Sequence, residues 1–281
     1  MAVDALMCPH CRGALSRDGQ RLTCGSRHSF DIAKQGYVTL LRAPLQGAPG
    51  DDAAMLAARH EFLSHGHYRP IQDAIAAAVR RHAGSQAGQV VADAGAGSGD
   101  YLAAVLDQFP ASVGIGVDVS KFAARRLARR HPRMCGVLAD VWRQIPLRDG
   151  RADAVLSVFA PRNVAETARI LGTGGHWIVV TPRPQHLCEL TAVPGVVTVE
   201  AGKTQRLDSS LGDRFTVAER LAVTYELDMP KASAELLLAM GPTAYHLDSA
   251  QRSAILAGLT PRSSDSLAIT VAVDLSVFTK T

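Results

Sequence analysis

No apolar run in the sequence approaches the roughly 18 residues of a membrane-spanning helix. The opening residues, MAVDALMCPH, lack the basic then apolar pattern of a secretory leader. A soluble, cytoplasmic protein with no membrane partner is expected. Cysteine is scarce: five in 281 residues, three of them in the first 24, form no even-numbered disulfide framework, and a cytosol would keep them reduced. Charge is also limited, at 20% of residues against 47% hydrophobic, which excludes a disordered chain and leaves ample material for a core. The formal charge of +4 leans toward a polyanionic partner without selecting one. There is no internal repeat and no low-complexity tract. The length suits one large domain with a small one, or a single α/β domain with insertions.

What is present is organised around residues 90–99, VVADAGAGSG. Three apolar residues read as a short strand that ends in Asp93 and enters a turn spaced by Gly95, Gly97 and Gly99. Tyr101 then opens a segment with Leu102, Val105, Leu106 and Phe109 on one helical face. Glycine suits such a turn because a ligand can approach the backbone with no Cβ in the way. A second strand, 115–117, ends in Asp118, about 20 residues after the glycines, where doubly wound folds place the acid that holds a ribose. A third, 134–139, runs into Asp140. Acids ending three successive strands around a GxGxG turn resemble the S-adenosylmethionine (SAM) site of Rossmann-like methyltransferases. They resemble an NAD site less, since the third glycine comes one residue early for GxGxxG.

The amino-terminal cysteines have metal-knuckle spacing. Cys8 and Cys11 precede Cys24 and His28 as C-x2-C-x12-C-x3-H, and four protein ligands close a tetrahedron, so a structural zinc is expected. A thioredoxin-like redox pair would instead follow a strand in a βαβ unit. His10 is a competing ligand. Residues 30–41 read as strand and turn that complete this small domain. Residues 42–52, with two prolines and two glycines, read as a linker, and Asp51 or Asp52 as the cap of a helix over 53–63. A second helix is expected over 71–82.

Residues 121–133 read as a helix carrying Lys121, Arg125, Arg126, Arg129, Arg130 and Arg133 outward, with Phe122, Ala123 and Leu127 inward. The basic stripe suits either an RNA contact or an ordinary solvated face. A fourth strand, 152–159, runs into Ala160, Pro161, Arg162 and Asn163, and a fifth covers 174–181. Residues 221–229 and 267–278 supply a terminal antiparallel pair, separated by a helix over 231–240 and the turn GPTAYH. Cys135 and Cys188 read as inert, buried or semi-buried cysteines.

Together these motifs resemble one family, the RlmA-type 23S rRNA guanine-N1 methyltransferases, whose actinobacterial members include tylosin-resistance enzymes. The resemblance rests on CPHC with CGSRH, FDIAKQGYVTLL, the pattern ARxxFLxxGHYxP, ADAGAGSG, GVDVSK, FAPRN, TPRPQHLCEL and MGP. It covers nearly the whole chain. The implied fold is a Rossmann-like class I SAM-dependent methyltransferase domain with a small N-terminal zinc-binding domain. Residues 1–41 would be the zinc-binding, RNA-recognising part, 42–64 a linker and connecting helix, and 65–281 the methyltransferase.

The resemblance also implies roles. Backbone from Gly95 to Leu102, with Gly97, Gly99 and Tyr101, would hold the methionine part of SAM beside Asp93. Asp118 would hold the ribose, Asp140 would lie near the adenine, and Tyr68 and His186 would contact the cofactor. Cys8, Cys11, Cys24 and His28 match the zinc ligands. The substrate would be a guanine of 23S rRNA hairpin 35, number 748 or 745, and the assembly a homodimer. Arg162 or Asn163 would hold the base edge, with carbonyls near Ala160 accepting from its N–H groups. Residues 195–214 match the family poorly. Two other readings are a SAM enzyme for a small molecule, which needs neither knuckle nor basic helix, and a zinc-containing RNA-binding protein with a vestigial methyltransferase fold.

Overall fold

The computed structural model describes residues 3–43, 50–84, 88–198, 202–261 and 265–281. At the amino terminus a single 3-10 turn leads into β1 (Leu15–Asp18), β2 (Arg21–Cys24) and β3 (Ser29–Asp31), an antiparallel three-stranded ribbon. Leu6, Leu15 and Leu22, all at most 2% exposed, bury this ribbon against the main body, in one apolar cluster with Val137, Leu147 and Trp177. Backbone bonds seal the join: Met7 N–H donates to the Pro146 carbonyl and Arg148 N–H to that of Ala5.

The chain then leaves the ribbon. β4 (Val38–Thr39) pairs in parallel with a strand of the main sheet, at Val137 and Leu138. Residues 30–41 therefore complete the small unit only as far as β3, and the rest extends the large sheet. The apolar alternation at Val38 and Leu40 suits either edge, which is why the sequence does not reveal the choice. Of the expected linker, residues 44–49 lie outside the described residues.

Asp52 caps α1 (Ala53–Ser64), its side chain accepting from Met55 N–H. α2 (Arg69–His82) follows with Pro70 in its first turn and Arg80, Arg81 and His82 in its last, matching the helix dipole at both ends. β5 (Val90–Ala94), α3 (Asp100–Gln108), β6 (Val113–Asp118), α4 (Lys121–Arg130), β7 (Met134–Leu138) and β8 (Ala152–Val158) form the alternating run read from the sequence. After it come α5 (Val164–Ile170), β9 (Leu171–Pro182), the short α6 (Cys188–Thr191) and α7 (Lys203–Leu211). β10 (Phe215–Pro230), α8 (Lys231–Ala239), α9 (Ser249–Ala257) and β11 (Ser266–Lys280) end the chain.

The eight-stranded sheet has the order β10-β11-β9-β8-β5-β6-β7-β4. The chain winds outward from β5 through β6 to β7, then returns to β8 on β5's other side, so the switch point lies between β5 and β8. In open α/β sheets the ligand crevice opens at the carboxyl ends there. β9 and β10 flank β11 antiparallel, the expected terminal pair, longer than its sequence pattern suggested.

Three local expectations change. Phe122 is 44% exposed, not inward; the buried residues of α4 are Ala123, Ala124 and Leu127, packed so close to β7 that a Cβ on Gly136 would stand 2.6 Å from the Ala124 carbonyl. A phenyl ring has no room in that layer, and it lies outside near Arg125. The helix ends at Arg130, so Arg133 lies beyond it, and two of the six basic residues expected on it serve the fold: Arg130 pairs with buried Asp100, and Arg133 donates to the carbonyls of Leu106, Phe109 and Ser112. Cys135 is buried as expected, but Cys188 is exposed, because the short α6 turns Leu190 inward in its place.

Candidate active site

At the ribbon tip, Sγ of Cys8, Cys11 and Cys24 and Nδ1 of His28 lie within 4.8 Å of one another. Cys11 to Cys24 is 3.5 Å, Cys8 to His28 3.5 Å and Cys24 to His28 3.4 Å. Bonds of about 2.3 Å to sulfur and 2.0 Å to nitrogen imply tetrahedral edges of roughly 3.5 to 3.8 Å, so this donor set fits zinc. Arg12 and Arg27, each just past a ligand turn, take left-handed backbone angles (φ 63° for both), as tight metal knuckles demand. Burial raises the Cys8 thiol, whereas a bond from the Gly13 backbone, then Ser26 and His28, lowers exposed Cys11 to about 6. His10 stays outside the cluster and stacks on Phe30.

The main cleft opens at the switch point and has three joined lobes. The first is floored by the glycine turn and walled by Tyr68, Asp93, Tyr101 and His186. Asp93 is 1% exposed, and its Oδ1 has no partner among the described residues. Burial, then the charge of Asp118, raises its pKa to about 8. Gly95 and Gly97 have φ of 85° and 54°; a Cβ on the first would stand 2.7 Å from Ala160 Cβ, and on the second 2.7 Å from Arg59 Nη1. An orphaned buried carboxyl group over a floor that admits no side chain fits the amino-acid end of SAM, whose ammonium would ionise it.

The second lobe holds Asp118, Asp140, Val141 and Trp142. Asp118 accepts from Gly97 N–H and Ser120 N–H, both at 2.8 Å, so it shapes the turn as well as facing the lobe. Asp140 accepts from Trp142 N–H at 2.9 Å, which sets the 63% exposed Trp142 ring at the lobe's rim. The acids and the flat ring suit a ribose and a purine.

The third lobe lies beyond Phe159 and is lined by Ala160, Arg162, Thr181, His186, Val196 and Thr243, among others. Arg162 has no hydrogen-bond or ion-pair partner among the described residues, and burial, then nearby Arg206, lowers its pKa. Phe159 is the junction: it lines all three lobes, stacks on His186 (5.8 Å, 15°) and holds a left-handed φ of 52°. Such strain in a non-glycine residue concentrates at functional sites. His186 Nδ1 accepts the Ala272 N–H at 3.2 Å, so its proton sits on Nε2, 3.3 Å from the Tyr68 hydroxyl. Burial lowers the ring to about 4, and it is neutral at pH 7.

Most of the residues picked from the sequence meet here, but three do not line the cleft. Leu102 is fully buried in the core, and a Cβ on Gly99 would meet Leu127 and Met134, away from the cleft. Asn163 caps α5 and donates to the carbonyls of Val141 and Trp142, so its amide is consumed in bracing the loop. Arg59 and Phe159 stand inside the motifs ARxxFLxxGHYxP and FAPRN without an individual role read from them, and Trp142 carries no sequence signal. A pattern search marks strand-end acids and glycines, whereas Arg59 reaches the cleft only through the packing of α1 on α8.

Two family descriptions match the chain: the RlmA N-terminal zinc ribbon over residues 6–46 and a methyltransferase domain over 91–175. A Streptomyces fradiae protein named 23S rRNA (guanine(748)-N(1))-methyltransferase is 44% identical over 259 residues, covering 90% of this chain and 91% of that one. A Micromonospora griseorubida protein assigned to 23S rRNA guanine-N1 methyl transfer is 41% identical, with 96% of both chains covered. Among solved structures, a chain from the complex of the Haloferax volcanii Trm112 methyltransferase activator aligns with a TM-score of 0.52 at 19% identity. The match covers 83% of this chain and 99% of that one, a likeness of fold alone.

Proposed function

This chain belongs to the RlmA family of 23S rRNA (guanine-N1)-methyltransferases, and from that premise we propose that it methylates N1 of guanine 748 in hairpin 35, with guanine 745 the alternative target. The carrying observation is the junction at Phe159, where the SAM-fitting lobes open directly into a lobe lined by Arg162. The S. fradiae relative, named for guanine 748, supports the choice of 748, and the motif resemblance to tylosin-resistance enzymes extends the proposal to resistance to tylosin-type macrolides.

When bound, SAM supplies a methyl group on a sulfonium, and the protein's task is chiefly to position the nucleophile and exclude water. Asp93, Gly95, Gly97, Tyr101, Tyr68 and His186 hold the amino-acid part, Asp118 the ribose and Asp140 the adenine side. Arg162 grips the guanine edge at O6, and the backbone near Ala160 and Pro161 accepts from its N–H groups. Guanine N1 must lose a proton. His186 cannot take it, because Nδ1 is occupied by the Ala272 N–H and Nε2 already carries hydrogen. The other ionisable side chain described in the third lobe, Arg162, is a cation, so the proton leaves to water.

The amino-terminal segment through β3, with zinc on Cys8, Cys11, Cys24 and His28, acts as the RNA grip, and the rest, from β4 onward and including α1, as the methyltransferase. Lys121, Arg125, Arg126 and Arg129 of α4 add basic groups for the RNA backbone. The base edge must be exposed, so the substrate is a loop or a flipped nucleotide. No helix among the described residues is long and apolar enough to cross a membrane. The enzyme works in the cytoplasm, where its ribosomal substrate is, and as a homodimer, which light scattering on the purified protein tests. The deciding experiment is primer extension on 23S rRNA from cells with and without the protein. N1 methylation blocks pairing and stops reverse transcriptase one nucleotide before guanine 748. No stop in cells with active protein overturns the assignment.

A further inference from the structure

Arg59 crosses the cofactor cleft from a helix that carries no glycine motif or strand-end acid. Its Nη1 contacts Asp51 Oδ2 at 2.5 Å and its Nη2 donates to the Met240 carbonyl at 2.7 Å. The guanidinium lies directly over the glycine turn, 2.7 Å from the point where a Gly97 side chain would begin. It also borders both the first and second lobes.

The charges of the first lobe are few. Among its described lining residues, Asp93 is the one carboxylate, Arg59 the one guanidinium, and His186 is held neutral by the Ala272 bond. An α-amino acid presents one ammonium and one carboxylate. Asp93, with an oxygen lacking any partner, answers the first, and the lobe offers a single cation for the second. A guanidinium has five N–H donors in a planar fork, more than Asp51 and the Met240 carbonyl require, and that fork matches a carboxylate.

We infer that Arg59 is a cofactor-binding residue that grips the carboxylate of the SAM methionyl group. Its bond to Met240 then joins cofactor binding to the Met240-Gly241-Pro242 segment, which lines the first lobe and supplies Gly241 and Pro242 to the third. This inference rests on the reading that the cleft holds SAM, and the test separates the two.

Calorimetric titrations use SAM and decarboxylated SAM, which lacks only the carboxylate. The parent protein should bind SAM at least tenfold more tightly than the decarboxylated form. Arg59→Gln should weaken SAM at least tenfold and leave the decarboxylated compound within about twofold, so the preference collapses. Asp51→Asn breaks the ion pair but keeps the cation, and should retain the preference. A parent with no preference, or an Arg59→Gln variant that weakens both compounds equally, would overturn the role, as would loss of preference in Asp51→Asn. Arg59→Lys keeps the charge without the fork; it reads the same ratio if the glutamine variant does not fold, and an undiminished preference there also overturns the claim. Gly97→Val fills the floor of the lobe: if it binds SAM normally the cleft is not the cofactor site, a separate failure.

Discussion

Asp118 holds Gly97 in place: its Oδ2 accepts the Gly97 N–H at 2.8 Å while its Oδ1 accepts that of Ser120 at the same distance. The acid at the end of β6 thus builds the turn at the end of β5. Asparagine at this position should fail almost as badly as alanine, because its amide nitrogen would point a donor at a donor. Each bond to a charged group is worth about 1.5 to 3 kcal/mol. Asp118→Asn should therefore weaken SAM binding at least tenfold by calorimetry. Parent-like affinity in that variant would contradict this account.

Gly97→Val should abolish SAM binding. The new Cβ would stand 2.7 Å from Arg59 Nη1, and a β-branched residue resists a φ of 54°. Fluorescence or calorimetric titration checks it, with circular dichroism to show that the fold survives.

Asp93 makes the ligand-free protein sensitive to pH. Its carboxyl is raised from 3.8 to about 8, so between those values the folded state holds a proton that the unfolded state has lost. The sign follows: this group's contribution to stability declines as pH rises from about 4 to 8. Asp93→Asn should raise the melting temperature of the ligand-free protein at pH 8 more than at pH 5. SAM brings a cation to the site and should expel the proton, so binding near pH 6.5 should release protons, seen as buffer-dependent heats. Heats independent of buffer would argue against an ammonium at Asp93.

Zinc removal should act on the whole molecule. The ribbon's Leu6 and Leu22 share a core with Trp177 and Leu147, and β4 is part of the main sheet. Metal binding in such motifs contributes on the order of 10 kcal/mol to folding. Cys24→Ser should lower a single cooperative melting transition instead of producing a separate early one. SAM affinity at 25 °C should persist, because none of the zinc ligands lines the cleft, while rRNA methylation falls much further. Two well-separated transitions in a calorimetric scan would show that the ribbon melts alone.

Arg162→Ala should reduce the reverse-transcriptase stop at the target guanine and leave SAM affinity nearly unchanged. Arg162 lines the third lobe but neither of the others. A normal stop in that variant removes the role given to Arg162.

The strand-turn-helix units were legible because they are local: Asp93, Asp118 and the glycines sit at fixed distances from apolar runs, and zinc spacing is equally short-range. Arg59 was not legible because its role depends on α1 packing against α8, which no nearby residue encodes. Asn163 misled because a helix cap and a base-holding amide look alike in a sequence. Phe159 looks like the last residue of a buried strand; its exposure follows from a backbone angle that only the folded turn imposes.

β4 also bears on how the chain is made. Synthesis delivers the ribbon and its four ligands first, whereas Val38 must wait for Val137, its partner roughly a hundred residues later. A nascent chain can therefore capture zinc while its edge strand still has nothing to pair with. The order of synthesis thus offers the metal its four ligands before the sheet on which the ribbon packs is complete.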